Sequence, residues 1–541
     1  MSNPTANLEG FREKDFLEQI TTLNDLAEAK DATVLPGLRE LFDNPLGDAS
    51  IDTMVVNALM GVIGSNEKVC VEGLEDSDPS FSRLCIRAAG EHGYPSAGPI
   101  LIKLAGTETS PDRLHEIHTA LAHINDPSSL DVFRGQMDSD DPLAQALAIQ
   151  MIGRFKDADS QEKLTELIRD NAKEDHYGEC SVATWKAVEA LGAIGSDGAL
   201  RFLADQLHHP NPTARRIITD TLVGLGEAAV DPVLAAFESD DVDQRVLCAN
   251  VLGFLENKAG ADGLLAAFDR GEANEPNVRY AMYEALGRIG TMKGMVCLVD
   301  GLKETDELIL MAVVGGLERH VNSGVVAALL KVLTAGDDQA KAVAKAMTDS
   351  RGVTLFAALY PDPKAADVMM AAVHESRDTE TLAAFRAALE SLAGQKETSD
   401  RAKAHLDSLP EIEGEGRVAL AADDSRSMLA LHRSILSDMG FTAKLAADGR
   451  EALNNVEEMV LAGNLPEVVI TDLNMPVMDG LELVQKLRAM PECQDLPVVM
   501  VTTESESSQR DLASKAGVNA FVTKPFKPGD LKEAVTSVLG G

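Results

Sequence analysis

Positive charge is scarce in this 541-residue chain: 49 Lys and Arg stand against 87 Asp and Glu, a formal net charge of −38. So acidic a chain opposes attraction to a nucleic-acid backbone or to anionic lipid, and neither is expected as a partner. Aromatic residues make up only 4% of the chain, with a single tryptophan at Trp185. The core must then come from Leu, Ala, Val, Ile and Met, which favours packed helices over a β-sandwich. The six cysteines (Cys70, Cys85, Cys180, Cys248, Cys297, Cys493) lie far apart, with no C-x-x-C pair. That excludes a disulfide framework or a zinc ribbon and fits a reducing cytoplasm. No uncharged apolar run approaches about 18 residues, so no membrane span is expected. The opening MSNPTANLEGFREKD lacks a basic stretch followed by an apolar one, so no signal peptide is expected.

What is present first is self-similarity. Glu189-Ala-Leu-Gly-Ala-Ile-Gly195 returns as Glu284-Ala-Leu-Gly-Arg-Ile-Gly290, and weaker copies end near Gly64, Gly93, Gly226 and Leu255. The Leu-like position falls at residues 59, 89, 121, 152, 191, 222, 252, 286 and 314, a period near 30. Each copy reads as a first helix closed by glycine, a second apolar stretch such as Ala261–Phe268, and a polar turn. Neither helix buries its apolar face alone, so neighbours must stack into an α-solenoid. Asn211, Asp241 and Asn277 are read as starts of first helices, with Arg215, Arg245 and Arg279 one turn in. The arginines are read as ties between adjacent units rather than as an anion site. The pattern over residues ~50–320 resembles HEAT repeats, in particular the short class known from phycobilin lyases.

After residue 410 the period changes. Glu411-Ile-Glu-Gly-Glu-Gly416 reads as part of a charged linker. Apolar bursts at Val418–Ala422, Ala443–Ala446, Val468–Thr471, Pro497–Thr502 and Ala520–Thr523 alternate with helical stretches. Alternation of this kind predicts a parallel sheet covered on both faces, with its site at the C-terminal strand ends. Those ends carry Asp423 and Asp424, Asp472, Thr502 and Thr503, and Lys524-Pro525-Phe526. Three close carboxylates repel unless a hard cation shares them, and an all-oxygen set suits Mg²⁺. A carboxylate beside such a cation and a lysine is a natural phosphoryl acceptor.

The acidic pair, the Asp472-Leu-Asn-Met-Pro-Val-Met-Asp-Gly480 stretch, the threonine and Lys-Pro-Phe fall in the order and spacing of response-regulator receivers. Residues ~417–541 resemble that family end to end. The resemblance implies a flavodoxin-like (βα)5 domain. Asp472 would be the phosphorylated residue. Mg²⁺ would bind Asp424, Asp472 and the Asn474 carbonyl, with Asp423 acting mainly through water. Lys524 would pair with the phosphoryl group, next to a cis Lys524–Pro525 bond. Thr502 and Phe521 would form the switch, and Thr503 would tune access. Asn474 and Glu504 resemble the fast-cycling chemotaxis type.

The expected architecture is therefore an unstructured start over residues 1–15, a HEAT-like solenoid over 16–409, a linker over 410–416 and a receiver over 417–541. Residues 417–541 carry 12 basic and 18 acidic residues, so most of the excess negative charge lies in the solenoid. The expected protein is a bacterial, cytoplasmic two-component response regulator, not a metabolic enzyme. It would take a phosphoryl group from a histidine kinase or phosphotransfer protein and control an unidentified protein partner of the solenoid. The competing expectation is a helical module with its own lyase-like or ligand-binding activity. Lesser candidates are a metal at His115, His118 and His123, a site at His176 and Cys180 in the longest repeat interval, and an exposed turn at His208-His209.

Overall fold

The computed structural model describes residues 8, 10–174, 180–410, 417–502, 513–524 and 526–540. The chain divides into two compact units, Met1–Leu167 and Ile168–Gly541. The first is helical. Ala49–Ile63, Pro79–His92 and Pro111–Ile124 pack side by side, and Asp48 and Asp78 cap the first two by accepting from their own first-turn amides. Phe11 is buried within a short 3-10 turn, and Gln19 donates to its carbonyl.

The second unit begins with helices in two rows. One row contains Pro212–Leu225 (α1), Val242–Leu255 (α2), Pro276–Ile289 (α3), Glu307–Glu318 (α4) and Asp338–Asp349 (α5), each packed on the next. The other contains Val230–Phe237, Lys258–Asp269 and Met292–Gly301, again in sequence. This alternation follows from the sequence period, because each copy supplies one helix to each row. Gly195 and Gly290 close their helices at φ 64° and 68°, as a glycine stop requires, and Glu256 takes the same conformation at φ 49° in its copy. Asn211 and Asp241 are N-caps, accepting from Ala214 N and Gln244 N. The third expected start is corrected: Glu275 caps α3, and Asn277 lies inside its first turn. Arg245 does tie units together, donating to the Glu272 carbonyl at 2.7 Å.

Helices α3 and α4 cross at a pair of glycines. A Cβ on Gly287 would lie 2.7 Å from the Gly316 Cα. Alanine has the better helix propensity by about 1 kcal/mol, but overlap at a rigid backbone costs about 1–3 kcal/mol. With a backbone atom only 2.7 Å away, the upper part of that cost applies, and Gly287→Ala is expected to destabilise the second unit by about 1–2 kcal/mol in chemical denaturation. An unchanged or higher midpoint would show that the crossing can widen freely.

Five parallel strands follow: β1 (Arg417–Ala422), β2 (Phe441–Ala446), β3 (Val468–Asp472), β4 (Val498–Thr502) and β5 (Ala520–Thr523), in spatial order β2-β1-β3-β4-β5. The helices Arg426–Asp438 (α6), Gly449–Ala462 (α7), Gly480–Ala489 (α8) and Pro528–Leu539 (α9) alternate with them. Near-continuous apolar strands are what a sheet buried on both faces requires. One face, with Leu420, Val469 and Met500, packs against α7 and α8. The other, with Ala421, Ile470 and Val501, joins α6 and α9 in a core that continues without a break into the helical rows through Met428 and Ile435. Helix α6 packs directly on α4 and α5.

The N-terminal region is helical and the C-terminal region has the flavodoxin-like fold. Between them, Ser399–Ser408 is a helix with Ala402 buried. Among the described residues, no helix is long and apolar enough to cross a membrane.

Candidate functional site: an acidic pocket at the strand ends

The pocket forms where β1, β3 and β5 end, on the two sides of the point where strand order reverses. Asp423 follows β1. Its amide donates to the Ala446 carbonyl, and its carboxylate accepts from Ser425 N at 2.9 Å. Asp472 closes β3 and accepts from Leu473 N at 2.7 Å. Lys524 follows β5, held by its amide donating to the Thr502 carbonyl at 2.7 Å. Its ammonium donates to Asp423 Oδ2 at 2.9 Å and to Asp472 Oδ2 at 3.0 Å. Asp423, Asp424 and Asp472 each offer an oxygen within 4.8 Å of the others, and they form the one such cluster of acidic, His or Cys ligands among the described residues. Gly480 is required beside them, since a Cβ there would lie 2.0 Å from the Asp472 carbonyl oxygen.

Burial sets the electrostatics. Removal from water raises the Asp424 carboxyl to about 7, aided by the neighbouring Asp423. It also raises Asp472 to about 6, against the pull of Lys524. Burial alone would lower Lys524, but Asp423 and Asp472 outweigh it and push it up. The pocket thus holds negative charge that one lysine does not balance. An oxygen-only donor set at this spacing fits a hard divalent cation.

Asn474 shares the cavity wall with Asp423, Asp424, Asp472 and Lys524. Thr502 is buried at the end of β4, one residue beyond the partner of Asp472 in the ladder. Phe521 is half-buried on β5 against the cluster containing Met500. Thr503, Glu504 and Pro525 lie outside the described residues, as does His176. The histidine candidates come apart: the group at His115, His118 and His123 forms no metal cluster, and His118 is buried against Phe133. His208 is exposed, but the expected exposure of His209 is corrected. His209 is buried and accepts from Asn211 N, and burial lowers it to about 4.

Sequence reasoning missed the pocket's outer wall, which is α3. Asn277 Nδ2 donates to the Lys524 carbonyl at 3.1 Å. Tyr280 shares a hydrogen bond with Ser425 Oγ, and Ser427 donates to Glu284. Arg288 donates to the Asp424 carbonyl at 2.9 Å. Positions 277, 280, 284 and 288 recur at helical spacing and share one face. One signal was available: in the two nearly identical strings 189–195 and 284–290, the position that differs is Ala193 against Arg288.

Residues 419–536 match the response regulator receiver domain family. Over 122 residues the chain is 42% identical to a chemotaxis protein CheY homolog of Campylobacter jejuni, covering 22% of this chain and 91% of that protein. It is 39% identical over 121 residues to chemotaxis protein CheY of Pseudomonas aeruginosa, covering 22% and 94%. A solved structure of Vibrio cholerae chemotaxis protein CheY4 is 34% identical, covering 23% of this chain and 98% of that one, with a TM-score of 0.21. With its acidic pocket at the expected strand ends and relatives matched over nearly their whole length, the chain belongs, through residues 419–536, to the response regulator receiver family.

Proposed function

We propose that the receiver accepts a phosphoryl group on Asp472 from a histidine kinase or phosphotransfer protein, and so controls protein binding by the helical rows. The observation that carries this is the placement of Lys524 Nζ at 2.9 and 3.0 Å from Asp423 and Asp472 beside three mutually close carboxylates. Asp424, Asp472 and the Asn474 carbonyl would hold Mg²⁺, with Asp423 linked through water. The cation supplies charge neutralisation on the transferring oxygens. Asp472 Oδ1 accepts from Leu473 N and Oδ2 from Lys524, which fixes the plane of the carboxylate whose oxygen would be the nucleophile. In transfer from phosphohistidine, that oxygen forms the new P–O bond and the P–N bond breaks. Its electron pair leaves with the imidazole. Lys524 is placed to offset charge on the phosphoryl oxygens, and Thr502 and Phe521 would relay its presence.

The helical rows support a HEAT-like α-solenoid reading, because successive copies place equivalent helices side by side. Its acidity favours a protein partner with a basic or apolar surface. On this reading the protein is a signalling regulator of the cytoplasm, not a metabolic enzyme. With Mg²⁺ and a small phosphodonor such as acetyl phosphate, the full chain is expected to incorporate label that Asp472→Asn does not. Equal labelling of the two proteins would overturn the acceptor assignment.

A further inference from the structure

The wall that α3 builds over the pocket contains a cation that the receiver does not own. Arg288 lines the same cavity as Asp472 and Lys524. Its guanidinium lies over the Phe254 ring at 4.3 Å and 4.0 Å from Glu284, so its position is held from the helical side. Glu284 in turn is engaged by Ser427.

Consider the charges that meet there, on the acceptor reading above. Ionised Asp423, Asp424 and Asp472 are balanced by Lys524 together with a divalent cation. A phosphoryl group replaces the single charge of the Asp472 carboxylate by about −1.5 to −2 and leaves about half to one negative charge in excess. In a cavity screened from water, an unbalanced charge is costly, and a fixed cation at its edge is favoured. Arg288 stands at that edge, and the same helix face grips the two loops that carry Asp424 and Lys524.

We propose that Arg288 reads the phosphorylation state of Asp472 for the helical rows. Phosphoryl charge in the pocket draws the guanidinium, so α3 docks more tightly on the receiver when Asp472 is phosphorylated. Because Arg288 is absent from the sister copy, where Ala193 stands, this role belongs to one repeat and not to the repeat pattern. The inference makes Arg288 a positioning residue, acting through docking rather than in the transfer itself.

The test uses the full chain with Mg²⁺, beryllium and excess fluoride, which together mimic an acyl phosphate. Two readouts are taken: ¹⁹F resonances of bound fluoride, and amide hydrogen exchange across 276–289 and 426–438. In wild type the mimic is expected to slow exchange in both segments by at least about fivefold. The slowing is expected to be lost in Arg288→Ala and largely restored in Arg288→Lys, which keeps the charge. Exchange across Ala49–Ile63, in the other unit, serves as the folding control in each variant. Slowing that survives Arg288→Ala, or exchange that quickens with the mimic, would overturn the inference. A bound resonance with unchanged exchange would do the same while leaving the acceptor reading intact. Absence of any bound resonance in wild type would instead overturn the acceptor reading on which this one rests.

Discussion

Cutting Arg433 back to alanine is expected to cost about 3 kcal/mol of stability and to loosen α6 from the helices beneath it. Arg433 Nε lies 3.1 Å from Asp378 Oδ2, with the two side chains only 6% and 7% exposed. A second donor from the same guanidinium reaches the Asp349 carbonyl, and Ser434 Oγ contacts the Asp349 carboxylate at 3.3 Å. Burial pushes the guanidinium down to about 10, and Arg351 beside it pushes the same way, so its charge is retained at the expense of solvation. Removing one member of a buried pair strands the other, a loss of about 3–5 kcal/mol. Here the lower end is expected, because Asp378 keeps Arg351 at 3.0 Å and the Thr381 amide at 2.9 Å.

The measurement is unfolding in denaturant, with receiver peptides followed separately by hydrogen exchange, since a multi-unit chain need not unfold in one step. A double-mutant cycle with Asp378→Asn should return a coupling energy above about 1 kcal/mol. A loss below about 0.5 kcal/mol for the single variant would show the pair to be solvated, as exposed pairs are.

The second large effect concerns pH and the divalent ion. Burial raises Asp424 to about 7 and Asp472 to about 6, both above the usual carboxylate value near 4. The folded state therefore binds protons more tightly than the unfolded one. The stability these groups contribute is fully present below about pH 4 and is lost as pH rises through about 6 to 7. Without a divalent cation, wild type should thus lose about 2–3 kcal/mol between pH 5 and pH 8 that Asp424→Asn, which keeps Asp472, does not lose. The difference between the two proteins is the relevant readout, because many other carboxylates contribute to the absolute slope. Mg²⁺ should reverse the loss at pH 8 and do little at pH 5, since binding a cation requires ionised ligands. Thermal melts at both pH values, with Mg²⁺ and with chelator, check this. Parallel curves for wild type and Asp424→Asn would remove the electrostatic account of the pocket.

Much of this was legible before any tertiary contact was known, and the reasons are local. The β-strands of the receiver were readable as apolar bursts because a doubly covered sheet tolerates little else, and β5 matches its expected bounds, Ala520–Thr523. Asp423, Asp424, Asp472 and Lys524 were readable because a parallel sheet delivers every strand to one edge. A residue just past a strand end therefore has few places to go. The repeat was readable because the copies share glycine stops and polar turns. What misled was equally local. Asn277 looks like the caps Asn211 and Asp241, but Glu275 already fills that role and frees the asparagine side chain to meet the Lys524 carbonyl. His209 sits beside a proline in a polar turn, yet its ring turns inward as an acceptor for Asn211 N.

The sequence alone determined that a helical region precedes a parallel sheet and which residues stand at its strand ends, because helix period, strand alternation and residues at strand ends are encoded within short stretches. Tertiary structure alone decided that the receiver shares a core with the helical rows and that α3 walls its pocket. Asn277, Tyr280, Glu284 and Arg288 are ordinary polar residues of a helix face, and nothing within that helix states what they face. Their meaning comes from the docking of surfaces more than a hundred residues apart, where apolar burial around Met428 and Ile435 sets the approach and polar groups that lose water must find partners across the seam.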